Sequence, residues 1–341
     1  MLKITESWGS VRKIRFKYEL YEYLKYAALF NGKKFDLEDI VKIIKKSRIK
    51  QEQLRLSILQ TGHNLKILYN IENTSYFSLA KDMVSFLKGI KLVDINETVH
   101  TPQNIIKIYN KHKNNYEELD KYLLQIILKS KYKAYLYFLI NLQENKYKFL
   151  IPKNYSKRTK KSGLSNYLKE HGFFTDIASF YTIRDLLYQF NLINWYIDKD
   201  GNETIYMTSK VDVKNTSNIK YKNSLDVNNY KLLYNKKIDI HIFSNILINN
   251  YLKITKDKFS VVIELIPLRD LVTIQLEISD ITFNEYINNL KNIDSNVSIE
   301  LSQGIIISKP HTGLLIKILN SPKIGDEIYA TYLRISRRFR H

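Results

Sequence analysis

Residues 176–208 place an amphipathic helix directly before a tight hairpin, an order that few folds accommodate. The apolar positions of the helix recur every three or four residues: Ile177, Phe180, Ile183, Leu186, Leu187, Phe190. This spacing indicates one buried helix face. Trp195–Ile197 and Glu203–Thr208 then alternate around Asp200-Gly201, a strong hairpin signal. Upstream, Leu164, Tyr167 and Leu168 predict a first helix that ends at Gly172.

The order helix, turn, helix, hairpin resembles that of the winged helix-turn-helix superfamily. The resemblance covers roughly residues 132–210, and Leu187–Ile193 is similar to the end of a recognition helix followed by the start of a wing. Many family members have Gly where this chain has Asn191. Asn also tolerates the left-handed conformation, so the departure is mild. A generic helical hairpin followed by a β-hairpin remains the alternative.

A search for internal repeats finds a second unit 100 residues upstream. Eight apolar positions coincide with those of 177–193, and they are Phe77, Ala80, Met83, Phe86, Leu87, Ile90, Leu92, Val93. The hairpin of this upstream unit is expected over Asp94–His100. Amphipathic helices match one another easily, so the shared Leu-Val and Leu-Ile endings carry more weight than the helix positions.

A third, fainter unit is expected near the C-terminus. Pro267–Leu276 and Phe283–Ile293 are predicted helices, and Val297–Leu301 and Ile305–Ser308 are predicted strands around Ser302-Gln303-Gly304. This part also resembles a winged helix. A small α+β interaction domain is the alternative.

The chain has only ten glycines and five prolines among 341 residues, which argues against a many-turned β-sandwich. We therefore predict a mostly α protein with small β-hairpins (α+β) and two or three winged helix-turn-helix modules. The expected organisation is an N-terminal module over 1–102, a central module over 103–210, a linker over 211–258 and a C-terminal module with a basic tail over 259–341.

The charge balance favours a polyanionic partner. Lys and Arg number 54 against 34 Asp and Glu, a formal net charge of +20. Such a field attracts nucleic acid or an anionic membrane surface. A basic composition inherited from an A+T-rich genome is the alternative, because Lys, Asn, Ile and Tyr are all abundant. No segment has the roughly 20 uncharged apolar residues of a membrane span, and no signal peptide is apparent, so a cytoplasmic protein without a membrane span is expected.

The resemblance implies that the helix over 176–190 enters a DNA groove while the hairpin contacts the backbone. Arg184 has the guanidinium needed for a bidentate contact to guanine, and Ser179 and Thr182 are candidates for phosphate. Further candidates are Tyr188, Lys199 and Asn202 in the second unit, Lys81 and Lys88 in the first, and Thr282, Asn284, Asn288 and Lys291 in the third. Asp176 and Asp185 make this helix less basic than a dedicated DNA reader.

Two basic runs are expected to add sequence-independent, salt-sensitive affinity. Residues 153–161 contribute Lys153, Lys157, Arg158, Lys160, Lys161, and the tail contributes Arg334, Arg337, Arg338, Arg340. Solvated surface charge is the alternative for each of them.

No enzymatic motif is present. Cysteine is absent, and the seven histidines form neither HxxxH nor HxH, so neither a catalytic thiol nor a Cys- or His-based metal site is expected. No glycine-rich nucleotide motif and no GxSxG occurs. Glu264, Asp270 and Glu277 resemble the carboxylates of a nuclease only weakly, because no lysine follows Glu277.

The sequence therefore predicts a non-enzymatic nucleic-acid-binding protein without a cofactor or metal. Double-stranded DNA is the expected ligand, and transcriptional control or a DNA-engaging subunit is the expected setting. The alternative is an adaptor whose modules bind proteins within a larger assembly, such as a mobile-element or antiviral-defence complex. A nuclease with an unrecognised site is a third, weaker possibility.

Overall fold

In a computed structural model of the chain, the described residues are 17–29, 38–46, 76–90, 94–96, 98–100, 103–112, 116–129, 134–156, 163–213, 224–227, 230–234, 238–292, 297–303, 317, 321–325 and 328–337. These residues are mostly helical, and their strands form small antiparallel sheets of two or three strands. The predicted α+β class is confirmed at this level.

The N-terminal part is helical apart from one short hairpin. Its elements are α1 (Lys17–Leu29), α2 (38–46), α3 (Tyr76–Gly89), β1 (Asp94–Asn96), β2 (Thr98–His100), α4 (Gln103–His112) and α5 (Tyr116–Lys129). Strands β1 and β2 pair antiparallel, so the hairpin expected behind the helix of the first unit is present. Ala80, Met83, Phe86 and Leu87 of α3 are buried as the repeat predicts.

The central region, residues 134–207, contains the elements of the second unit. They are α6 (Ala134–Glu144), β3 (Lys148–Ile151), α7 (Lys153–Ser156), α8 (Leu164–Glu170), α9 (Ile177–Gln189), β4 (Ile193–Ile197) and β5 (Glu203–Met207). The sheet order is β3-β5-β4, with both pairs antiparallel.

Helix α9 starts and ends at residues suited to those positions. The Asp176 side chain caps the helix by accepting from the Ser179 backbone N–H at 2.9 Å. Asn191 follows the helix with φ 59°, the left-handed conformation that Asn tolerates. The chain therefore turns from α9 into β4 within a few residues, as the pattern of residues 176–208 predicts.

The C-terminal region, residues 240–337, repeats this order of elements. It contains α10 (Ile240–Thr255), β9 (Ile263–Glu264), α11 (Leu265–Leu276), α12 (Asp280–Asn292), β10 (Val297–Ser302), β11 (Lys323–Gly325), β12 (Ile328–Tyr329) and β13 (Tyr332–Arg337). Its main sheet has the order β10-β13-β9. Both predicted helices of the third unit are present as α11 and α12.

Two expectations about this half of the chain need correction. Residues 211–258 hold more than a linker: β6 (Ser209–Val213), β7 (Ser224–Val227) and β8 (Tyr230–Tyr234) form an antiparallel sheet, and α10 follows. The polar composition hid the helical spacing of Phe243, Leu247 and Tyr251, all buried. The partner of β10 is β13, a distant strand; the predicted strand over 305–308 lies outside the described residues.

Two hydrophobic cores support these regions. The larger one joins α1, α3, α5, α6 and the central region, and it includes the fully buried Tyr135, Phe180 and Trp195. The second is built from α10, α11, α12 and the β10-β13-β9 sheet around Phe243 and Phe283. Burial of such apolar side chains is the main stabilising contribution in both.

Candidate nucleic-acid interface

The tip of the β4–β5 hairpin, Asp198–Asn202, is a tightly hydrogen-bonded turn. The Asp198 carboxylate accepts from the Asn202 backbone N–H at 2.8 Å and from its side-chain amide at 2.9 Å. These bonds from Asn202 lower the pKa of Asp198. Gly201 has φ 87°, which an L side chain adopts only with strain. The hairpin tip is therefore held in one conformation.

The structure brings Lys153 to this hairpin tip. Its backbone N–H donates to the Asn202 side-chain oxygen at 3.0 Å. Its side chain crosses Gly201, where an added Cβ would lie 3.2 Å from the Lys153 Cδ. Lys199 at the tip is exposed, as is Lys153. Lys153, predicted from one sequence segment, thus lies at the hairpin tip that carries Lys199 and Asn202, predicted from another.

The other predicted basic residues, Lys157, Arg158, Lys160 and Lys161, lie outside the described residues, and the described chain on either side of them is packed together. Tyr155 stacks on Tyr167 with ring centroids 4.6 Å apart. A Cβ at Gly163 would lie 3.4 Å from the Tyr155 ring. Tyr155 and Gly163, on either side of these residues, therefore lie close together.

The predicted exposed face of α9 is wrong for three of its four candidates. Ser179, Arg184 and Tyr188 are buried, with 2%, 2% and 1% of their surface exposed. Thr182 is half-buried, and its hydroxyl donates to the Ala178 carbonyl at 2.8 Å. The apolar periodicity located the inward face of α9 correctly, but other parts of the chain cover much of the remaining surface.

Arg184 belongs to a buried ionic cluster. Its guanidinium binds Glu203 and Asp185 and lies 4.1 Å from the centre of the Trp195 ring. Burial lowers the pKa of Arg184, but the two carboxylates oppose it and the net shift is upward. The side chain is a charged, stacked part of the α9–sheet interface, which leaves it unavailable for guanine.

The remaining predicted residues have different surroundings. Lys81 and Lys88 are exposed on α3. Arg334 pairs with Glu300 across β10 and β13, with Nε 3.1 Å from the carboxylate. Arg337 lies 4.7 Å from the centre of the Phe259 ring. Arg338 and Arg340 lie outside the described residues. Arg334 and Arg337 belong to β13, the middle strand of the C-terminal sheet, so the predicted basic tail is wrong for these two residues.

Sequence reasoning missed a buried polar network between the central and C-terminal regions. Asp280 at the start of α12 accepts from the Tyr188 hydroxyl, from the Asn194 amide at 2.7 Å and from Arg269 at 2.9 Å. Arg269 and Asp280 side chains are fully buried. The available signal was Arg269-Asp270 within the otherwise apolar Leu265–Val272.

Lys317 completes this network. Its ammonium lies 2.5 Å from Asp270 and 5.0 Å from the centre of the Trp195 ring. Burial raises the pKa of Asp270, and Lys317 partly offsets that rise. Burial also raises the pKa of Tyr188, and the Asp280 charge adds to it. The network thus joins the two regions through charged groups removed from water.

Comparisons with protein-family models, with curated proteins and with solved structures returned no match for this chain. Among the described residues, no group of three or more His, Asp or Glu side chains is placed to hold a metal ion. None of the helices in the described part is long and apolar enough to cross a membrane.

Proposed function

We propose that the protein is a non-enzymatic nucleic-acid-binding protein that holds duplex DNA mainly through its phosphate backbone. The observation that carries this proposal is the position of the exposed Lys153 at the hairpin tip that bears Lys199 and Asn202. Exposed lysines are suited to phosphate oxygens, and Asn202 holds the turn that places them.

We further propose that the central and C-terminal regions are winged helices. In each, two successive helices precede an antiparallel strand pair, and a strand ahead of the helices completes the sheet. This order supports the resemblance drawn from the sequence. The central hairpin is then the wing, and Lys199 at its tip contacts the DNA backbone together with the neighbouring Lys153.

The composition of α9 favours backbone contacts over base reading. Its described positions that stay exposed or half-buried include Ala178, Thr182 and Asp185, and none is basic. Bidentate recognition of guanine requires Arg or Lys, and Arg184 is occupied by its carboxylate partners. We therefore expect weak sequence preference and strong salt dependence. Such binding is compatible with a role in transcriptional control or as a DNA-engaging subunit of a complex.

Duplex binding across a salt series tests the proposal. The decisive variant changes four basic residues to Ala, at Lys157, Arg158, Lys160 and Lys161. If all four contact phosphates, the slope of log K against log salt becomes shallower by roughly 3 to 4. The matched control removes four exposed lysines remote from the basic segment in sequence, at Lys25, Lys46, Lys107 and Lys111.

The two variants carry the same net charge, so they separate a located interface from a general attraction. Equal weakening of DNA binding in both variants would show that general electrostatic attraction, and not a located interface, holds the DNA. A wild-type protein that fails to bind duplex at about physiological salt would overturn the proposal.

A specific observation favours the adaptor as second candidate. Leu271 on α11 and Ile281 on α12 are 39% and 36% exposed, and described neighbours on the outer faces of these helices are neutral or acidic, including Gln275 and Glu285. An apolar helix pair suits a protein partner better than DNA. The adaptor predicts that Leu271→Glu leaves DNA binding intact and abolishes co-purification of a partner.

A further inference from the structure

The turn between α11 and α12, Glu277–Asp280, lies against one face of the central sheet. Three residues of that face are in register across the strands: Lys148, Tyr206 and Asn194. Residues directly opposite one another in antiparallel strands project on the same side of the sheet. Tyr188, from α9, reaches the same turn. We call Lys148, Tyr188, Asn194 and Tyr206 the donor face, and Glu277–Asp280 the acceptor turn.

Asp280 accepts two hydrogen bonds from the donor face. The Asn194 amide donates to its carboxylate at 2.7 Å, and the Tyr188 hydroxyl donates to the same carboxylate. Both donors are buried, as is Asp280. A carboxylate removed from water therefore obtains part of its hydrogen bonding from the other region.

The remaining contacts of the acceptor turn have the same direction. The Lys148 ammonium lies 3.0 Å from the Glu277 carboxylate. The Asn194 amide and the Tyr206 hydroxyl each lie 3.5 Å from the Ile278 carbonyl oxygen. In these contacts the central region supplies the donors, and the turn supplies anionic or carbonyl oxygens.

The buried charges at this junction have partners within their own region. Arg269 pairs with Asp280 at 2.9 Å, and the Lys317 ammonium lies 2.5 Å from Asp270; all four belong to the C-terminal region. The carboxylates that bind Arg184 belong to the central region. Breaking a buried ion pair is costly, but separation of the two regions breaks none of these pairs.

The apolar cores of the two regions are also separate. Among the described residues, the two hydrophobic clusters share no member. Lys148 and Glu277, which form an ion pair across the junction, are 48% and 43% exposed, so solvent reaches that end of the contact. Polar interfaces between regions of one chain resemble those of transient complexes. The junction is therefore built in a way that permits separation.

We propose that the acceptor turn is an internal ligand, which occupies a phosphate-binding surface of the central region and is displaced when nucleic acid binds. Lys, Asn and Tyr side chains all contact phosphate oxygens in complexes with DNA, and the turn offers them anionic oxygens in place of phosphate. The donor face lies on the three strands whose hairpin tip carries Lys199, so a DNA backbone held at the tip can continue onto it. This inference rests on the proposed function and adds that the C-terminal region regulates it.

Glu277→Gln weakens the internal ligand, because it removes the ion pair with Lys148. The matched control is Glu300→Gln, which removes an exposed carboxylate that pairs with Arg334 inside the C-terminal sheet. Both variants gain one positive unit of net charge, so general attraction to DNA rises in both. We expect Glu277→Gln to bind duplex up to roughly 5-fold more tightly than Glu300→Gln, the range that an exposed ion pair allows.

Lys148→Ala, added to Glu277→Gln, tests whether the freed donor face contacts phosphate. The double variant is expected to lose the gain in affinity. Its slope of log K against log salt is expected to be shallower by about 0.9 than that of Glu277→Gln, because one phosphate contact is lost.

Separation of the two regions is measured independently of affinity. The chain has no cysteine, so two introduced cysteines carry a fluorophore pair at chosen positions. Lys169→Cys on α8 and Asn289→Cys on α12 are at exposed positions, one in each region. Saturating duplex is expected to change the energy transfer between them, and the change is expected at lower duplex concentration in Glu277→Gln.

The failures of this inference and of the proposed function differ in these measurements. Energy transfer that stays constant at saturating duplex, or equal duplex affinity of Glu277→Gln and Glu300→Gln, overturns the internal ligand and leaves the proposed function standing. An unchanged affinity on adding Lys148→Ala to Glu277→Gln overturns the phosphate-binding role of the donor face. If neither the wild type nor Glu277→Gln binds duplex, the proposed function is overturned and the internal ligand with it.

Discussion

The central and C-terminal regions share a backbone plan down to the conformation of single residues. Between the first helix and first strand, each has two successive residues in the left-handed conformation: Lys146 and Tyr147 at φ 57° and 66°, and Lys256 and Asp257 at φ 54° and 64°. Non-glycine residues rarely adopt this conformation. Both regions therefore leave their first helix through a turn with two left-handed residues.

The two hairpins differ in what they contact. In the central region, β4 and β5 are joined by the short tip Asp198–Asn202, which carries exposed Lys199. In the C-terminal region, the chain between β10 and β13 is long, and it returns Lys317 to the interface with Asp270 and Trp195. The central region thus exposes the connection between its last two strands to solvent. The C-terminal region buries Lys317 of the corresponding connection.

The largest effect is expected from removing one charge of the buried ion pair between Arg269 and Asp280. Asp280→Ala leaves the Arg269 guanidinium buried without its carboxylate, and removing one partner of a buried ion pair costs about 3–5 kcal/mol. Urea unfolding measures the loss of unfolding free energy. The control is Glu300→Ala, which removes the exposed partner of Arg334 and is expected to cost at most about 1 kcal/mol.

Similar losses in the two variants would contradict the structural role of the network. A loss of unfolding free energy confined to Asp280→Ala would show that the buried charges stabilise the contact between the two regions. Binding of blunt duplex by folded Asp280→Ala protein then reports whether the anchored geometry also matters to the ligand.

Lys317→Met tests the same junction through its pH dependence. Burial raises the pKa of Asp270 in the folded protein and Lys317 offsets part of that rise, so the variant has a still higher Asp270 pKa. A carboxyl whose folded pKa is raised contributes stability below its unfolded pKa of about 3.9, and this contribution is lost as pH rises through the folded value.

The variant is therefore expected to match the wild type most closely near pH 4 and to fall behind progressively towards neutral pH. The deficit at neutral pH is expected to reach roughly 1.5–3 kcal/mol, the contribution of a hydrogen bond to a charged group. Urea titrations at several pH values measure it. Adding Asp270→Asn should remove the pH dependence of the deficit; a deficit that is constant with pH would exclude Asp270 as its source.

Local sequence patterns predicted the helix pairs of both regions and the hairpin of the central one, but neither α10 and β13 nor the mutual burial of the regions. The spacing of Ile177, Phe180 and Ile183 located the inner face of α9 correctly, and the Asp-Gly pair located the hairpin tip. Arg184 and Tyr188 fall outside that spacing, so the pattern placed them in solvent. Their burial depends on Glu203 and on Asp280 from a distant segment, and periodicity carries no information about such contacts.

Strand pairing at long range was unpredictable for the same reason. The predicted partner of β10 was the next extended run, which is the usual choice for a hairpin. The observed partner, β13, lies beyond a long connection whose Lys317 is buried. The candidate site was predictable in composition, because Lys153, Lys199 and Asn202 were all named. Their convergence required the β3-β5-β4 order, which no local pattern encodes.

A smaller effect is expected at the turn that joins the helix pair in the central region. Gly172 has φ 83°, and a Cβ there would lie 2.5 Å from the Asn141 side-chain oxygen. Gly172→Ala therefore combines left-handed strain with displacement of Asn141, whose amide donates to the His171 carbonyl at 2.9 Å. We expect a loss of at least about 1–2 kcal/mol in unfolding free energy, measured by urea titration. An unchanged free energy would show that the turn relaxes freely.

The smallest effect is expected at the corresponding turn of the C-terminal region, between α11 and α12. Glu277 holds the left-handed conformation there with φ 56°, so Glu277→Gly relieves strain that Gly172 never had. The same change removes the exposed pair with Lys148, worth about 0–1 kcal/mol. Because the left-handed conformation costs a non-glycine residue roughly 1–2 kcal/mol, we expect a net gain of a few tenths to 1 kcal/mol in the urea titration. Lys148→Ala measures the ion pair alone. A net loss in Glu277→Gly larger than the loss in Lys148→Ala would mean that the backbone there is not strained, and the two turns would then be alike in shape but unlike in energy.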